Sequence, residues 1–361
     1  MKIAGLTWHG VDNFGSMLQA YALQCTVKKD GAKHIYVSYT KDRDYQYIIY
    51  YCYRYLRSWL PFFKERKDLF TRFHRKNIKS TLKLYSKADI HNINDRYDGF
   101  ICGSDQIWAP NILDSTYLLD FVSDSAKKVA YAASIGLDNI PQNLVPLYEK
   151  NLKEFSSISV REKTGQRLLL ERCHISADVV LDPTMLLTAI EWRKLENPLP
   201  IEHGFAFCYF LSESNDYLAR EDISGLLAEM PVVGVTAQIN PNNKMKNITD
   251  CVGPAEFLWL VDNAEYIITD SFHGAVFSLI FKKRFVLCSR FKAEDPVCQN
   301  SRIEQLSETM KLERFKRGDT VFVEDSTCYK EIDDIIAAER KKSCRFISES
   351  MNRIKSVRMV K

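Results

Sequence analysis

A short segment around residue 270 contains the residue types needed to transfer a proton beside an anion. Residues 266–269 are an apolar strand-like run, Asp270–Gly274 has the polarity of a turn, and residues 275–281 continue as an apolar helix. This order predicts His273 at a helix N-terminus, where free N–H groups and the helix dipole attract anions. An imidazole there can exchange a proton near neutral pH, and a purely structural histidine is the alternative.

Arg161 is the second candidate, because it follows the strand-like run Ile158–Val160 directly. Ligands of α/β sheets bind outside the carboxyl ends of the strands, which is where this side chain is expected to point. A guanidinium binds phosphate or carboxylate through paired hydrogen bonds. Pairing of Arg161 with Glu162 or with a neighbouring helix is the alternative.

The strand-like run Gly99–Cys102 ends abruptly in small polar residues. Ser104, Asp105 and Gln106 follow Gly103, and Trp108 comes two positions later. Polar groups beside an aromatic ring suit a sugar, because its hydroxyls need partners and its C–H face stacks on a ring. A Ser/Asp cap beside a tryptophan of the core is the alternative.

A fourth junction follows the run Ile3–Thr7. Its loop contains Asn13, Gly15 and Ser16 and leads into a helix from about Met17. Glycine allows close backbone approach, and a helix start offers N–H groups to an anion or a hydroxyl. The segment is neither a dinucleotide fingerprint nor a P-loop, so a structural turn is the alternative.

The elements that must position these residues alternate short apolar runs with helical patterns, which indicates βα units and a parallel sheet. Helical spacing is clear near Met17, near Phe257 and near Ile332. Strands are predicted at 3–7, 99–102, 129–132, 158–160, 179–181, 205–211, 232–235, 266–269 and 285–287.

The length of 361 residues favours about two domains. Pro and Gly residues between Leu195 and Gly204 interrupt the pattern and mark the predicted boundary. A C-terminal helix is predicted over 331–361. One option is that it packs back against the N-terminal domain. The predicted order is an N-terminal Rossmann-like domain over 1–195 with a helical insertion at about 41–79, a C-terminal Rossmann-like domain over 205–330, and that helix.

The insertion is rich in tyrosine, phenylalanine, lysine and arginine, and Pro61 is expected to divide it into two helices. A packed helix pair is the favoured interpretation. A membrane-surface pair, with rings in the headgroup region and cations above them, is an alternative. A nucleic-acid surface is disfavoured because no recognised binding module is present.

The composition points to a globular protein with no general polyanion partner. The formal net charge is only +4, and 46% of residues are hydrophobic. No signal peptide or membrane-spanning run is visible, so a cytoplasmic location is expected. The 10 cysteines are scattered without zinc-site spacing, which favours free thiols and no metal.

Taken together, these segments resemble the polysaccharide pyruvyl transferase family. The order and spacing of the motifs extend from near the start of the chain to about Arg302. The matching segments are Asn13–Ser16 with Leu18–Gln24, Tyr97–Trp108, Ser159–Glu162, Leu181–Thr184 and Thr269–Gly274.

The resemblance implies two Rossmann-like domains facing a central cleft, similar to the GT-B glycosyltransferases. It implies transfer of a pyruvyl group from phosphoenolpyruvate to two sugar hydroxyls, which gives a cyclic ketal and phosphate with no further cofactor. His273 is then the expected catalytic acid and Arg161 the expected donor-anion ligand. The donor set is completed by Ser271, Gly274, Lys292 and Arg302. The expected acceptor residues are Asn13, Gly15, Ser104, Asp105, Gln106 and Trp108.

One departure concerns the donor pocket, because some family branches have arginine where this chain has Ser271. Either another cation then holds the donor's anions, or the donor pocket differs. A nucleotide-sugar glycosyltransferase on the same architecture is the alternative enzyme, since fold does not fix function. A non-catalytic membrane-surface protein is the alternative of another class. A lipid-linked acceptor at the inner face of the membrane would unite the insertion with catalysis.

Overall fold

The computed structural model describes residues 1–41, 61–211, 216–227, 230–236, 246–289, 301–324 and 326–360. Residues 42–60, which hold much of the predicted insertion, and Lys292 of the predicted donor set lie outside these ranges. No helix among the described residues is long and apolar enough to span a bilayer. The cysteines in the described ranges are free thiols.

The chain forms two compact units. The first unit is built from residues within Met1–Trp59, His74–Leu186 and Ala338–Lys361. The second is built from residues within Leu60–Phe73 and Leu187–Ala337. Each unit contains one of the two sheets.

The first unit contains a six-stranded parallel sheet with the order β2-β1-β3-β4-β5-β6. Its strands are β1 (Lys2–Leu6), β2 (Lys33–Tyr36), β3 (Gly99–Cys102), β4 (Lys128–Ala133), β5 (Ser157–Val160) and β6 (Asp178–Val179). All residues of β3 and β4 are buried, as expected for central strands covered on both faces.

The second unit contains a seven-stranded sheet with the order β12-β13-β11-β10-β7-β8-β9. Strands β11, β10, β7, β8 and β9 are parallel, and β13 pairs antiparallel with β11 and β12. The strands are β7 (Ala206–Phe210), β8 (Val232–Thr236), β9 (Lys246–Asn247), β10 (Tyr266–Thr269), β11 (Arg284–Leu287), β12 (Lys316–Arg317) and β13 (Thr320–Val323).

Helices alternate with the strands in both units. They are α1 (Phe14–Lys29), α2 (Pro61–Asn77), α3 (Val145–Leu152), α4 (Lys163–Cys173), α5 (Ala189–Arg193), α6 (Glu221–Leu227), α7 (Pro254–Asn263), α8 (Phe272–Ile280), α9 (Ser301–Thr309) and α10 (Tyr329–Val360). Every residue of α8 is buried, as expected for a helix that is apolar on all sides. Helix α1 is also largely buried.

The second unit begins at Leu187, ahead of the predicted boundary at 195–204. Helix α5 explains the difference, because Trp192 lies edge-on to Phe277 with ring centroids 5.1 Å apart. Arg193 also donates two hydrogen bonds to Asp262, at 2.7 and 2.9 Å. These contacts tie residues 187–193 to helices of the second unit.

Helices α2 and α10 each contribute to both units. Residues of α2 up to Phe73 count with the second unit, although the sequence places the whole insertion in the N-terminal domain. Residues of α10 from Ala338 onward count with the first unit. There the Ser343 hydroxyl accepts a 3.0 Å hydrogen bond from the Leu181 N–H, and Arg353 donates to the Ser156 carbonyl at 2.7 Å.

Candidate functional site

In the second unit, a short turn of Asp270 and Ser271 connects the carboxyl end of β10 to α8. Ser271 is the N-cap of α8, and its hydroxyl accepts a 3.4 Å hydrogen bond from the Gly274 N–H. The Asp270 carboxylate accepts from the Leu211 N–H at 2.7 Å, just beyond β7. The turn is therefore fixed to the sheet at one end and to the helix at the other.

His273 is the second residue of α8 and lies at the helix N-terminus, as the sequence predicts, although α8 begins at Phe272, three residues before the predicted start at residue 275. The side chain is 92% buried, and its ring lies edge-on to Phe272 at 5.1 Å between centroids. A β-carbon on Gly274 would lie 2.3 Å from the Thr269 hydroxyl oxygen, so only glycine fits after His273. The close approach of helix and strand fixes the position of the imidazole. Its catalytic role stays a prediction.

Arg161 is enclosed by carboxylates in the first unit. Its Nη1 donates a 2.7 Å hydrogen bond to Asp182, and its Nε lies 3.7 Å from Glu162 Oε2. All three side chains are at most 2% exposed. Burial alone would lower the pKa of Arg161, but Asp182, Glu162 and Asp105 raise it above its ordinary value. Arg161 therefore forms an ion pair within the protein, which the sequence left open as the alternative to binding a substrate anion.

Both carboxylates are themselves held by donors. Glu162 Oε1 accepts from the Ser134 hydroxyl at 2.6 Å and from the Gly136 N–H at 3.1 Å. Asp182 Oδ1 accepts from the hydroxyl and the N–H of Thr184, at 2.6 and 3.0 Å. These hydrogen bonds fix the orientation of both carboxylates toward Arg161. A substrate anion that bound Arg161 would have to enter this buried cluster and compete with two carboxylates for the guanidinium.

The loop after β3 is fixed by hydrogen bonds from α1 and β1. The Ser104 carbonyl accepts from the Thr7 hydroxyl at 2.8 Å, and the Ser104 N–H donates to Gln19 at 3.2 Å. The Ser16 hydroxyl donates to the Asp105 carboxylate. Gly103 and Asp105 adopt φ angles of 108° and 74°, a conformation that is found at functional sites when surrounding contacts enforce it.

The structure corrects two of the predicted acceptor contacts. Trp108 is fully buried, and its ring nitrogen donates to the Tyr117 carbonyl at 2.9 Å, so the ring is part of the core and offers no face to a sugar. Ser104 is also fully buried, and its hydroxyl donates to the Ala132 carbonyl at 2.7 Å. Burial and internal hydrogen bonds make both residues structural.

The other predicted acceptor residues lie at the carboxyl edge of the first sheet. Asn13 is exposed and is the N-cap of α1, with its side chain accepting from the Ser16 N–H at 3.0 Å. Gly15 is buried within α1. Gln106 is half-buried, and its N–H donates to Asp105 at 2.9 Å. Among these, Asn13 and Gln106 retain side-chain exposure within the first unit.

Arg220 is a further cation of the second unit, and it is not among the donor ligands predicted from the sequence. Its guanidinium donates to both oxygens of Asp222, at 2.7 and 3.1 Å, and to the Thr320 hydroxyl at 2.8 Å. Tyr217 binds the Ser289 carbonyl beyond β11 at 2.7 Å, which brings this segment to the carboxyl edge of the second sheet. Arg220 is 31% exposed. No sequence signal separates it from an ordinary surface arginine.

Arg302, another predicted donor ligand, is the second residue of α9 in the second unit. Within the described ranges, no three His, Cys, Asp or Glu side chains are arranged to hold a metal ion. The described structure thus places His273 and Arg220 in one unit and Arg161 with its carboxylates in the other.

The family model for polysaccharide pyruvyl transferases matches residues 13–290, from the N-cap of α1 to just beyond β11. The chain belongs to the polysaccharide pyruvyl transferase family. Membership makes the protein a transferase acting in polysaccharide biosynthesis, with a sugar or polysaccharide acceptor. No curated protein sequence matches this pyruvyl transferase family member.

Solved structures share the fold of this family member. Alr3699/HepE from Anabaena, in complex with UDP and glucose, matches with a TM-score of 0.50 and 10% identity, over 98% of this chain and 99% of that one. UDP-GlcNAc 2-epimerase from Methanocaldococcus jannaschii gives a TM-score of 0.49 and 13% identity, over 94% and 100% of the two chains. The likeness to Alr3699/HepE, with the two α/β sheets, confirms the predicted GT-B-like α/β fold.

Proposed function

We propose that this protein transfers a pyruvyl group from phosphoenolpyruvate to two hydroxyls of one sugar, forming a cyclic ketal and releasing phosphate. The acceptor belongs to a surface polysaccharide, such as a capsule or exopolysaccharide, or to its precursor. The observation that carries the proposal is the position of His273, in the first turn of α8 and within the residues that the family model matches.

His273 is the proposed proton donor. Protonation of the methylene carbon of phosphoenolpyruvate converts the double bond to a methyl group and leaves an oxocarbenium-like carbon. The first sugar hydroxyl attacks that carbon, and its proton passes to the phosphate, which departs with the electrons of the C–O bond and leaves a second oxocarbenium-like carbon. The second hydroxyl attacks this carbon to close the ring, and its proton returns to His273. The helix N-terminus supports the donor anion beside the imidazole.

The donor carries a phosphate and a carboxylate, so its site needs several cations or N–H donors. In the proposal the start of α8 supplies Ser271 and Gly274, and Arg220 supplies the charge that the family arginine would bring at position 271. Arg302 and Lys292 are further donor ligands. Arg161 binds the donor only by exchanging a protein carboxylate for that of the substrate, and otherwise holds its loop in place.

The acceptor is proposed to contact the loops at the carboxyl edge of the first sheet, through Asn13, Asp105 and Gln106. A lipid-linked acceptor would place the reaction in the cytoplasm, at the inner face of the membrane. Phosphoenolpyruvate is the co-substrate, and no further cofactor enters this scheme.

Acceptor-dependent phosphate release tests the proposal. The protein is incubated with phosphoenolpyruvate and a panel of galactose, mannose and N-acetylmannosamine glycosides, and phosphate and product mass are followed together. His273→Gln should lower kcat by about two to four orders of magnitude, whereas His91→Gln, at an exposed histidine, should leave it unchanged. Nucleotide release from a sugar nucleotide, without phosphate release from phosphoenolpyruvate, would instead indicate a glycosyltransferase.

A further inference from the structure

Two leucines of the first unit are exposed to solvent, although the backbone on either side of them is hydrogen-bonded to the rest of the unit. Leu82 is fully exposed, and Leu84 is 58% exposed. The backbone around them is fixed, because the Thr81 N–H donates to the Tyr36 carbonyl at 2.8 Å and the Tyr85 N–H donates to the Ser38 carbonyl at 2.8 Å. The leucines therefore project from an ordered edge of the first sheet.

The same segment is strongly basic. Between residues 75 and 89 the chain has five cations and one carboxylate, Asp89, which pairs with Lys83 at 2.6 Å, in a protein whose net charge is only +4. All five cations are exposed. They are Arg75, Lys76, Lys79, Lys83 and Lys87. An exposed apolar pair surrounded by cations is the chemistry that binds an anionic bilayer, since the apolar groups enter the acyl boundary and the cations meet lipid phosphates.

The segment lies at the carboxyl end of the strands of the first sheet. It runs beside residues 36–40, which continue beyond the carboxyl end of β2, with parallel bridges at Tyr36–Ser80 and Tyr39–Tyr85. The β1–α1 loop is at the same end, and its His9 ring bonds the Val37 carbonyl and the His74 ring. Ligands of parallel α/β sheets bind at this end.

We propose that residues 75–87 dock the protein on an anionic phospholipid bilayer, with Leu82 and Leu84 inserted and the surrounding cations on the lipid headgroups. Docking itself does not depend on the reaction. Docking would bring the carboxyl edge of the first sheet to a lipid-linked sugar. That consequence rests on the proposed function.

Co-sedimentation of the full chain with vesicles tests this surface. We expect binding to equimolar phosphatidylcholine and phosphatidylglycerol, weaker binding to phosphatidylcholine alone, and weakening by salt. Leu82→Ser/Leu84→Ser should lower the affinity about tenfold or more, and Lys76→Glu/Lys79→Glu should do the same. The matched control is Leu170→Ser, at an exposed leucine of α4 in the same unit, which should bind as the native chain does.

Retention of vesicle binding by the leucine variant would overturn the proposal, as would no binding by the native chain. If heparin releases the leucine variant and the native chain from vesicles equally well, the surface is instead a general polyanion site. Ketal formation on a soluble glycoside is measured on the same variants and should be unchanged. That readout separates failure of the docking surface from failure of the transfer reaction.

Discussion

Arg161 Nη1 lies 2.7 Å from Asp182 Oδ2, although 21 positions separate the two residues in the chain. Glu162, the next residue in the chain, also lies near this guanidinium, with its Oε2 3.7 Å from Nε. Two segments of the matched region, 159–162 and 181–184, thus meet in one buried ion pair. The arginine joins the carboxyl ends of β5 and β6.

Asp182→Asn should destabilise the protein, because it leaves the buried Arg161 charge with a weaker partner. We expect the free energy of unfolding to fall by about 3 kcal/mol. Glu171→Gln is the matched control, since it breaks the exposed pair with Arg167, at 3.1 Å, and should cost about 0.5 kcal/mol or less. Urea denaturation measures both, and equal losses would contradict a structural role for the buried pair.

Gly103→Ala should be severely destabilising. A β-carbon there would lie 2.2 Å from the Tyr131 carbonyl oxygen, and the φ angle of 108° is unfavourable for an L residue. We expect a loss of about 3 kcal/mol or more. Gly225→Ala, in the open interior of α6, should instead gain up to about 1 kcal/mol, as thermal unfolding would show. A neutral Gly103→Ala would show that the loop relaxes.

The protein should lose stability as the pH falls through the range of two buried histidines. Burial, and then the neighbouring His74, lower the pKa of His9 to about 4. Burial, and then His9, lower the pKa of His34 to about 3. The unfolded chain binds these protons near pH 6.5, whereas the folded chain does not. The free energy of unfolding should therefore fall by about 2 kcal/mol for each residue between pH 7 and pH 5.

His34→Gln should flatten this pH dependence, whatever its effect on absolute stability. His91→Gln, at an exposed position, should leave the slope unchanged. Denaturant melts at several pH values between 5 and 7 give the slopes. Identical slopes for the native chain and His34→Gln would show that His34 does not contribute.

Arg220→Ala should raise the KM for phosphoenolpyruvate about tenfold or more, because the donor loses a charge-assisted hydrogen bond. Arg193→Ala is the control, since that arginine also pairs with an aspartate in the second unit but at α5. Steady-state kinetics with varied phosphoenolpyruvate separate the two. An unchanged KM in Arg220→Ala would remove Arg220 from the donor site.

The fold was largely predictable because buried parallel strands are short apolar runs between polar turns. Strands β3 and β10 have the predicted bounds, and each other predicted strand overlaps an observed one. Strand β2 was missed because Lys33 and His34 dilute its apolar character. Strand β13 was missed because it lies antiparallel to β11, outside the βα alternation that guided the prediction.

The site was predictable only in part, because side-chain partners come from distant segments. The turn with His273 was predictable, since a strand, a glycine and an apolar helix follow one another locally. The pairing of Ser16 with Asp105 joins residues 89 positions apart, and no spacing rule indicates it. Trp108 was ambiguous because the same residue type serves a sugar or a core, and only its burial decides.

Proton delivery to phosphoenolpyruvate during ketal formation on a sugar can be followed directly with solvent deuterium. The reaction is run in D2O with an acceptor glycoside, and the product is analysed by mass spectrometry. We expect a pyruvyl ketal whose methyl group carries one deuterium from solvent. It should form together with one equivalent of phosphate and be lost in His273→Gln. A ketal methyl group without deuterium, or a glycoside that never gains a pyruvyl group, would contradict the proposed reaction.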